Sequence, residues 1–206
     1  MTSPRYPVPA ATYRVSDEAR RSRFITTVAR AATVADAQAF VERIRAEFPG
    51  ATHHCWAYLV GPPGSTGQVG MSDDGEPHGT AGRPMLSALL HGGVGDVLAV
   101  VTRYYGGTNL GTGGLVRAYG GGVQRALESM PRAERVDLVT VTVAVDFARV
   151  PALEQILPAF EAAIDARAFA ADARFSVRLP DAQAEPFRQA VRDLTRGRAT
   201  FGVAVG

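Results

Sequence analysis

Three carboxylates, Asp73, Asp74 and Glu76, fall within four positions, and His78 follows closely. Carboxylates at this density could hold Mg²⁺ through their oxygens, or they could divide the roles of general acid and general base. The run Asp-Asp-Gly is also favourable turn chemistry, because aspartate side chains bond their own backbone. Nearby arginines could neutralise the same carboxylates. We favour the structural or ion-paired interpretation, and we predict no catalytic residue, metal site or cofactor from this cluster.

A second group of residues, Gly111–Gly114, opens a predicted helix that runs to about Ser129. Free backbone N–H groups and the positive end of the helix dipole favour an anion at such a position. Arg117 lies one turn into the helix, and Arg103 follows a predicted strand; each guanidinium can bind a phosphate in bidentate geometry. We therefore predict that both arginines and the amides of the turn converge on one outer patch. Alternatively, the glycines serve only tight packing.

Three tyrosines, Tyr104, Tyr105 and Tyr119, accompany these arginines. Aromatic rings beside phosphate contacts are typical of base or ribose stacking in RNA recognition. The same rings could instead form an ordinary cap on a small sheet, and the residues alone leave both interpretations open. The glycine pattern is not a dinucleotide-binding fingerprint, because Val116 stands at its third glycine position.

The run His53-His54-Cys55 could suggest a metal site. These residues fall in a predicted strand, where neighbouring side chains point to opposite faces. His54 therefore cannot easily join the other two on one ion, and two ligands are fewer than the four of a structural zinc site. We predict no metal here.

Hydrophobic periodicity predicts the elements that position these residues. In order, they are a helix after Thr33, a strand over 52–60, a helix from about 81 to 91, a strand over 97–102 and the helix over 111–129. Thr33 and Asp36 resemble a capping box, and Thr80 is predicted to cap the second helix. The continuous apolar run Val97–Thr102 predicts a central buried strand. Residues 61–67 and 72–79 are predicted loops.

The rest of the chain has a different pattern after a predicted linker at 130–134. It predicts a strand over 139–147, a helix over 150–164, strands over 166–170 and 173–179, a helix over 184–194 and a strand over 199–205. Pro158 should kink or divide the first of these helices. The order βαββαβ is the ferredoxin-like pattern.

Composition excludes several classes of protein. The chain has 206 residues, a net charge of +2 and no lysine among its 22 basic residues. Without lysine it can have neither the phosphate-binding lysine of a P-loop nor the Schiff base of a pyridoxal enzyme. Its single cysteine excludes an internal disulfide. Because no apolar run reaches the ~18 residues of a membrane helix and no signal-like segment is present, we expect a cytoplasmic protein without a membrane partner.

Four motifs in order carry a resemblance to a known family. They are Ser72-Asp73-Asp74-Gly75-Glu76-Pro77, Gly79-Thr80-Ala81-Gly82, Arg103-Tyr104-Tyr105-Gly106-Gly107 and Leu110-Gly111-Thr112-Gly113-Gly114-Leu115-Val116-Arg117-Ala118-Tyr119. Together they resemble the signature of the IMPACT family, in particular its bacterial members of the YigZ type. The resemblance covers nearly the whole chain, and its motifs lie in the first domain.

The resemblance implies an α+β fold of two domains. Residues 1–131 would resemble the second domain of ribosomal protein S5, and residues 132–206 would be ferredoxin-like. Similar domains occur in the translocation elongation factor, so the resemblance implies RNA or the ribosome as partner and a role in regulating translation. Eukaryotic members act through an extra N-terminal domain, whose partner we do not expect here. Asn109 stands where many bacterial relatives have lysine, so one charge is absent from the expected contact edge.

We expect a non-enzymatic RNA- or ribosome-associated protein without DNA specificity. The residues expected to contact RNA or another anion are Arg83, Arg103, Tyr104, Tyr105, Gly111, Thr112, Gly113, Gly114 and Arg117. One alternative is a Mg²⁺-dependent phosphotransferase or hydrolase of small molecules, with the carboxylates as metal ligands. Another is a protein-interaction module that uses the ferredoxin-like domain.

Overall fold

The computed structural model describes residues 5–202, which form two compact units. One unit comprises Tyr6–Arg135, and the other begins at Val136 and includes Arg5. Both contain helices and antiparallel strands, so the predicted α+β class is confirmed. No helix within residues 5–202 has the length and apolar character needed to cross a membrane.

The first unit is built on a five-stranded antiparallel sheet with helices on both faces. Its elements are β1 (Tyr6–Pro9), β2 (Tyr13–Ala19), β3 (Ser22–Arg30), α1 (Val34–Glu47), β4 (His53–Val60), β5 (Gln68–Ser72), α2 (Gly82–His91), β6 (Val97–Tyr104), α3 (Thr112–Ser129) and β7 (Arg132–Arg135). The strand order in the large sheet is β2-β3-β6-β4-β5. The strand β6 therefore lies at the centre, as its continuous apolar run predicts.

Alternate residues of β6 are buried against different helices. Val97, Ala99 and Val101 pack in the core under α2 and α3. Leu98 and Val100 pack on the opposite face under α1. Because β6 is covered on both faces, the residues that follow it start from a rigid part of the sheet.

The start of α1 confirms one local prediction, and β7 corrects another. The Thr33 side chain accepts from the backbone N–H of Asp36, and the Asp36 carboxylate accepts from the N–H of Thr33, which completes the predicted capping box. The predicted linker at 130–134 is wrong, because Arg132–Arg135 pairs antiparallel with Tyr6–Pro9. Periodicity could not show this pairing, because its partner lies at the other end of the unit.

The second unit has the βαββαβ order of a ferredoxin-like fold. Its elements are β8 (Leu138–Val145), α4 (Val150–Ile156), β9 (Ala163–Phe169), β10 (Ala173–Pro180), α5 (Asp181–Thr195) and β11 (Thr200–Gly202). The sheet order is β11-β8-β10-β9. The predicted effect of Pro158 is confirmed, because α4 ends at Ile156 and a 3-10 turn (Leu157–Phe160) follows. Val203 and Val205 of the predicted last strand lie outside the described residues.

Candidate functional site: two clefts around helix α3

The carboxylate of Asp73 caps helix α2. It accepts three backbone hydrogen bonds at 2.8–3.0 Å. The donors are the N–H groups of Gly79, Ala81 and Gly82. Burial alone would raise the pKa of Asp73, but these hydrogen bonds outweigh it and lower the pKa. The prediction that Thr80 caps α2 is wrong, because the Thr80 hydroxyl donates to the carbonyl of Pro77. Sequence spacing could not identify Asp73, because it reaches the helix from across a loop.

The carboxylate of Asp74 fixes the same loop to its surroundings. Its Oδ1 lies 2.8 Å from Arg45 Nη2, and its Oδ2 accepts from the backbone N–H of His54 at 2.6 Å. The Asp74 carbonyl accepts from His53 Nδ1 at 2.8 Å. Asp74 is therefore bound to α1 and β4, and its position agrees with the structural interpretation of the carboxylate cluster.

The third carboxylate, Glu76, forms a buried ion pair with Arg103. Arg103 Nη1 lies 2.5 Å from Glu76 Oε1, and the exposed fractions of the two side chains are 5% and 3%. Tyr119 donates its hydroxyl to the same oxygen at 2.6 Å, and burial raises the pKa of this tyrosine. Arg103 Nη2 donates to Ser22 Oγ at 3.2 Å. Arg103 is therefore held inside the unit and does not share an outer patch with Arg117, which corrects the sequence-based prediction.

The His53-His54-Cys55 run belongs to β4, and its side chains have separate partners. His54 is buried beside Thr102, 3.2 Å from its hydroxyl, and burial lowers the pKa of His54. The Cys55 thiol donates to the carbonyl of Asp73 at 2.9 Å, and burial raises the pKa of this thiol. Among residues 5–202, no group of three or more His, Cys, Asp or Glu side chains is arranged to hold a metal ion.

A cleft of about 450 Å³ opens at the start of α3, and we call it the α3 cleft. Its lining includes His53, Arg103, Tyr105, Asn109 and the residues Gly111–Thr112. The structure thus brings four of the predicted contacts together: Arg103, Tyr105, Gly111 and Thr112. His53 and Asn109 also line the cleft, although the sequence did not assign them a contact. Tyr104 ends β6 opposite Arg23 and is not part of this lining.

Helix α3 begins without a capping side chain. No side chain accepts from its first turn, and the first turn has no acidic residue. Within residues 5–202, the backbone N–H groups of residues 112–114 have no hydrogen-bond acceptor, and the first intrahelical bond runs from Leu115 to Gly111. The positive end of the helix dipole is therefore open to an anion.

A second cleft, of about 820 Å³, lies between α2 and α3, and we call it the α2/α3 groove. Arg83 on α2 and Arg117 on α3 are exposed in its lining, together with His91 and Gln124. Neither Arg83 nor Arg117 has an ion-pair partner within the described part of the chain, and the lining of the groove includes no carboxylate. The sequence predicted Arg83 and Arg117 as contacts, and the helical spacing left Gln124 free to face water or a partner, but nothing in it indicated His91.

Glycine allows the two helices to approach closely beside this groove. A methyl group at Gly120 would lie 3.3 Å from Pro84 Cβ, which is tight for a carbon contact. A methyl group at Gly113 would have more room, because its nearest neighbour is Arg117 Nη1 at 3.8 Å. The guanidinium of Arg117 therefore lies near the first turn of α3.

The fold and the clefts define a two-domain α+β protein with a basic groove on its first unit. Residues 20–127 match the Impact N-terminal domain, and residues 143–198 match a domain of unknown function, DUF1949. The chain is 44% identical over 190 residues to the IMPACT family member YigZ of Escherichia coli, covering 92% of this chain and 93% of that protein. This protein belongs to the IMPACT family.

Two further comparisons extend over the whole chain. The chain is 40% identical to an IMPACT family member of Haemophilus influenzae, covering 94% of each chain. A crystal structure described as that of an hypothetical protein aligns over 98% of each chain with a TM-score of 0.69 and 41% identity. Both units of the chain are therefore covered by these similar proteins.

Proposed function

We propose that this IMPACT family member is a non-enzymatic RNA-binding protein that acts in association with the ribosome. The observation that carries the proposal is the α2/α3 groove, whose two exposed arginines have no carboxylate partner in its lining. Guanidinium groups without an internal partner are available for phosphate oxygens, to which they donate charge-assisted hydrogen bonds.

The position of the arginines on two neighbouring helices supports contact with a chain of phosphates. Arg83 lies in the first turn of α2, and Arg117 lies in the second turn of α3. One groove therefore offers two cations, and the polar side chains of His91 and Gln124 line the same surface. Contacts of this kind neutralise the nucleic-acid backbone without reading its sequence. We expect binding with little sequence preference.

The enzymatic alternative has weaker support from the geometry. Asp73 accepts three backbone N–H groups, Asp74 binds Arg45, and Glu76 binds Arg103. A Mg²⁺ ion would have to displace these donors before it could use the carboxylate oxygens. The carboxylate loop therefore acts as a fixed support for α2 and β4.

The test is RNA binding by a double variant, Arg83→Ala/Arg117→Ala, measured by fluorescence anisotropy with a labelled single-stranded RNA. We expect its affinity to fall at least about tenfold, because two charge-assisted contacts are lost. The matched control is Arg188→Ala/Arg192→Ala, which removes the same number of positive charges from α5. Both of those arginines are already paired with Glu185, so the control should change affinity little.

Equal affinities of the wild type and the groove variant would overturn the proposal. Equal losses in both variants would also overturn it, because they would indicate a general charge effect. A DNA strand of the same sequence serves as a competitor, and we expect it to displace the RNA, because contacts to backbone phosphates do not distinguish the two.

A further inference from the structure

We infer that the α3 cleft is a binding site for a phosphomonoester, such as a nucleoside monophosphate or the phosphorylated 5′ end of an RNA. This site contains neither Arg83 nor Arg117, so the inference is independent of the α2/α3 groove. It rests on the uncapped start of α3, on a buried arginine with an unused donor, and on the orientation of His53.

The start of α3 differs from the starts of the other two helices of the unit. Helix α1 is capped by Thr33 and Asp36, and α2 is capped by Asp73. Helix α3 is longer than both but has no capping side chain. Gly111 at its N-cap has φ 72°, a conformation that favours glycine, and no atom lies within 4 Å of a methyl group placed there. Gly111 and Thr112 line the cleft, so the uncapped start of α3 borders it and is suited to an oxyanion.

Arg103 provides the second, independent observation. Its side chain is only 5% exposed, and it lines the same cleft as Gly111 and Thr112. Two of its nitrogens are bound by Glu76 and Ser22, whereas its Nε is buried and has no hydrogen-bond partner among the described residues. Buried donors in proteins are nearly always paired. Arg103 therefore brings to the cleft a guanidinium with one donor that no described residue satisfies.

His53 identifies the group that would accompany the phosphate. Its Nδ1 lies 2.8 Å from the carbonyl oxygen of Asp74 and must carry the proton, because a carbonyl can only accept. The Nε2 of the neutral ring is therefore an acceptor, and His53 lines the cleft. A hydroxyl beside the phosphate, as in a ribose, can donate to this nitrogen. Glu76 lines the same cleft with its Oε1 4.0 Å from His53 Nε2, and its ion pair with Arg103 at 2.5 Å offsets the charges of both residues.

The size of the cleft and one aromatic ring are consistent with a single nucleotide. A volume of about 450 Å³ falls within the usual range of small-molecule sites. Tyr105 lines the cleft with 46% of its surface exposed, so its ring is available to stack on a base. The ligand class is thus a phosphate ester with a sugar hydroxyl and a planar base.

The test uses Thr112→Pro, which removes one amide donor from the first turn. Proline is favoured at the first position of a helix, and the ψ of 164° at Gly111 lies outside the helical range that proline disfavours in the residue before it. The matched control, Thr112→Ala, removes the same hydroxyl and keeps the N–H. Titration calorimetry with adenosine 5′-monophosphate should show similar affinity for the wild type and Thr112→Ala. Thr112→Pro should bind about tenfold more weakly, because a hydrogen bond to a charged group is lost.

A second variant, Thr112→Glu, keeps the test decisive if the proline variant fails to fold. A carboxylate in the first turn stabilises the helix and competes with the phosphate, so we expect unchanged or higher thermal stability and no nucleotide binding. The proposal is overturned if the wild type binds no phosphomonoester at millimolar concentration. It is also overturned if Thr112→Pro and Thr112→Glu, both folded, bind as well as the wild type.

Oligonucleotides distinguish the two sources of the phosphate. Stronger binding of a 5′-phosphorylated RNA than of the same RNA with a 5′-hydroxyl, lost in Thr112→Pro, supports an RNA end as the ligand. Binding of the mononucleotide alone supports a free nucleotide. The variant Arg83→Ala, which changes only α2, should retain phosphomonoester binding, so that failure of the groove and failure of the α3 cleft give different results.

Discussion

Replacing Arg103 by methionine should destabilise the first unit by about 3 kcal/mol. Arg103 Nη1 lies 2.5 Å from Glu76 Oε1, and both side chains are almost fully buried. Removing one partner of a buried ion pair typically costs about 3–5 kcal/mol, because the remaining charge is left without compensation. The lower end of this range applies here, since Tyr119 continues to donate to Glu76 at 2.6 Å.

A double-mutant cycle measures how much of this loss comes from the pair itself. Glu76→Gln removes the negative charge and leaves Arg103 buried without its counter-ion. The double variant, Arg103→Met/Glu76→Gln, buries no uncompensated charge. It should therefore be more stable than the sum of the single losses predicts, by at least about 1 kcal/mol.

Urea unfolding provides the assay, followed by the fluorescence of Trp56. This residue is the only tryptophan of the chain and lies in β4, so it reports on the unit that contains the pair. The control is Arg125→Met, which breaks the exposed pair of Arg125 with Asp17 and should cost less than about 1 kcal/mol. If Arg103→Met costs no more than this control, Arg103 is not held in a buried ion pair and our description of the site is wrong.

Three further predictions concern single positions of the same unit. Asp73→Ala should destabilise the first unit by about 1 kcal/mol, because the cap of α2 is lost. The folded-state pKa of Asp73 is lowered, so this loss should be complete above about pH 4 and should become smaller as the pH falls through the folded pKa. Urea titrations at several pH values measure it. Gly113→Ala should raise the melting temperature, since glycine within a helix costs about 0.5–1 kcal/mol. Gly122→Ala should lower the melting temperature, because the new methyl group would lie 2.6 Å from Thr26 Oγ1. A higher melting temperature for Gly122→Ala than for Gly113→Ala would contradict the packing. Burial raises the pKa of the Cys55 thiol, so iodoacetamide should label it at neutral pH only after unfolding, and rapid labelling of the native protein would contradict its position.

The sequence predicted the features that depend on local patterns. The capping box of Thr33 and Asp36 and the interruption at Pro158 both follow from the chemistry of neighbouring residues. The central position of β6 follows from its unbroken apolar run, because only a strand covered on both faces tolerates one. The ferredoxin-like order of the second unit also follows from its hydrophobic periodicity, which alternates along the chain between that of strands and that of helices.

The features that the sequence did not predict depend on contacts between distant residues. Arg103 and Glu76 are 27 positions apart, and no spacing rule shows that the arginine turns inward to the carboxylate. Asp73 caps a helix that begins nine positions later, across a loop. The strand β7 pairs with β1 at the start of the unit. Because this pairing leaves no signal in the local composition, residues 130–134 suggested a linker. Only the folded chain determines which arginines remain exposed.

The salt dependence of RNA affinity tests the central claim most directly. Each phosphate contact contributes roughly 0.7 to the slope of the logarithm of the association constant against the logarithm of the salt concentration for single strands. The slope for Arg83→Ala/Arg117→Ala should therefore be shallower than that of the wild type by about 1.4, while Arg188→Ala/Arg192→Ala should keep the wild-type slope. Identical slopes for the wild type and the groove variant would contradict the assignment of the α2/α3 groove as the surface that binds RNA phosphates.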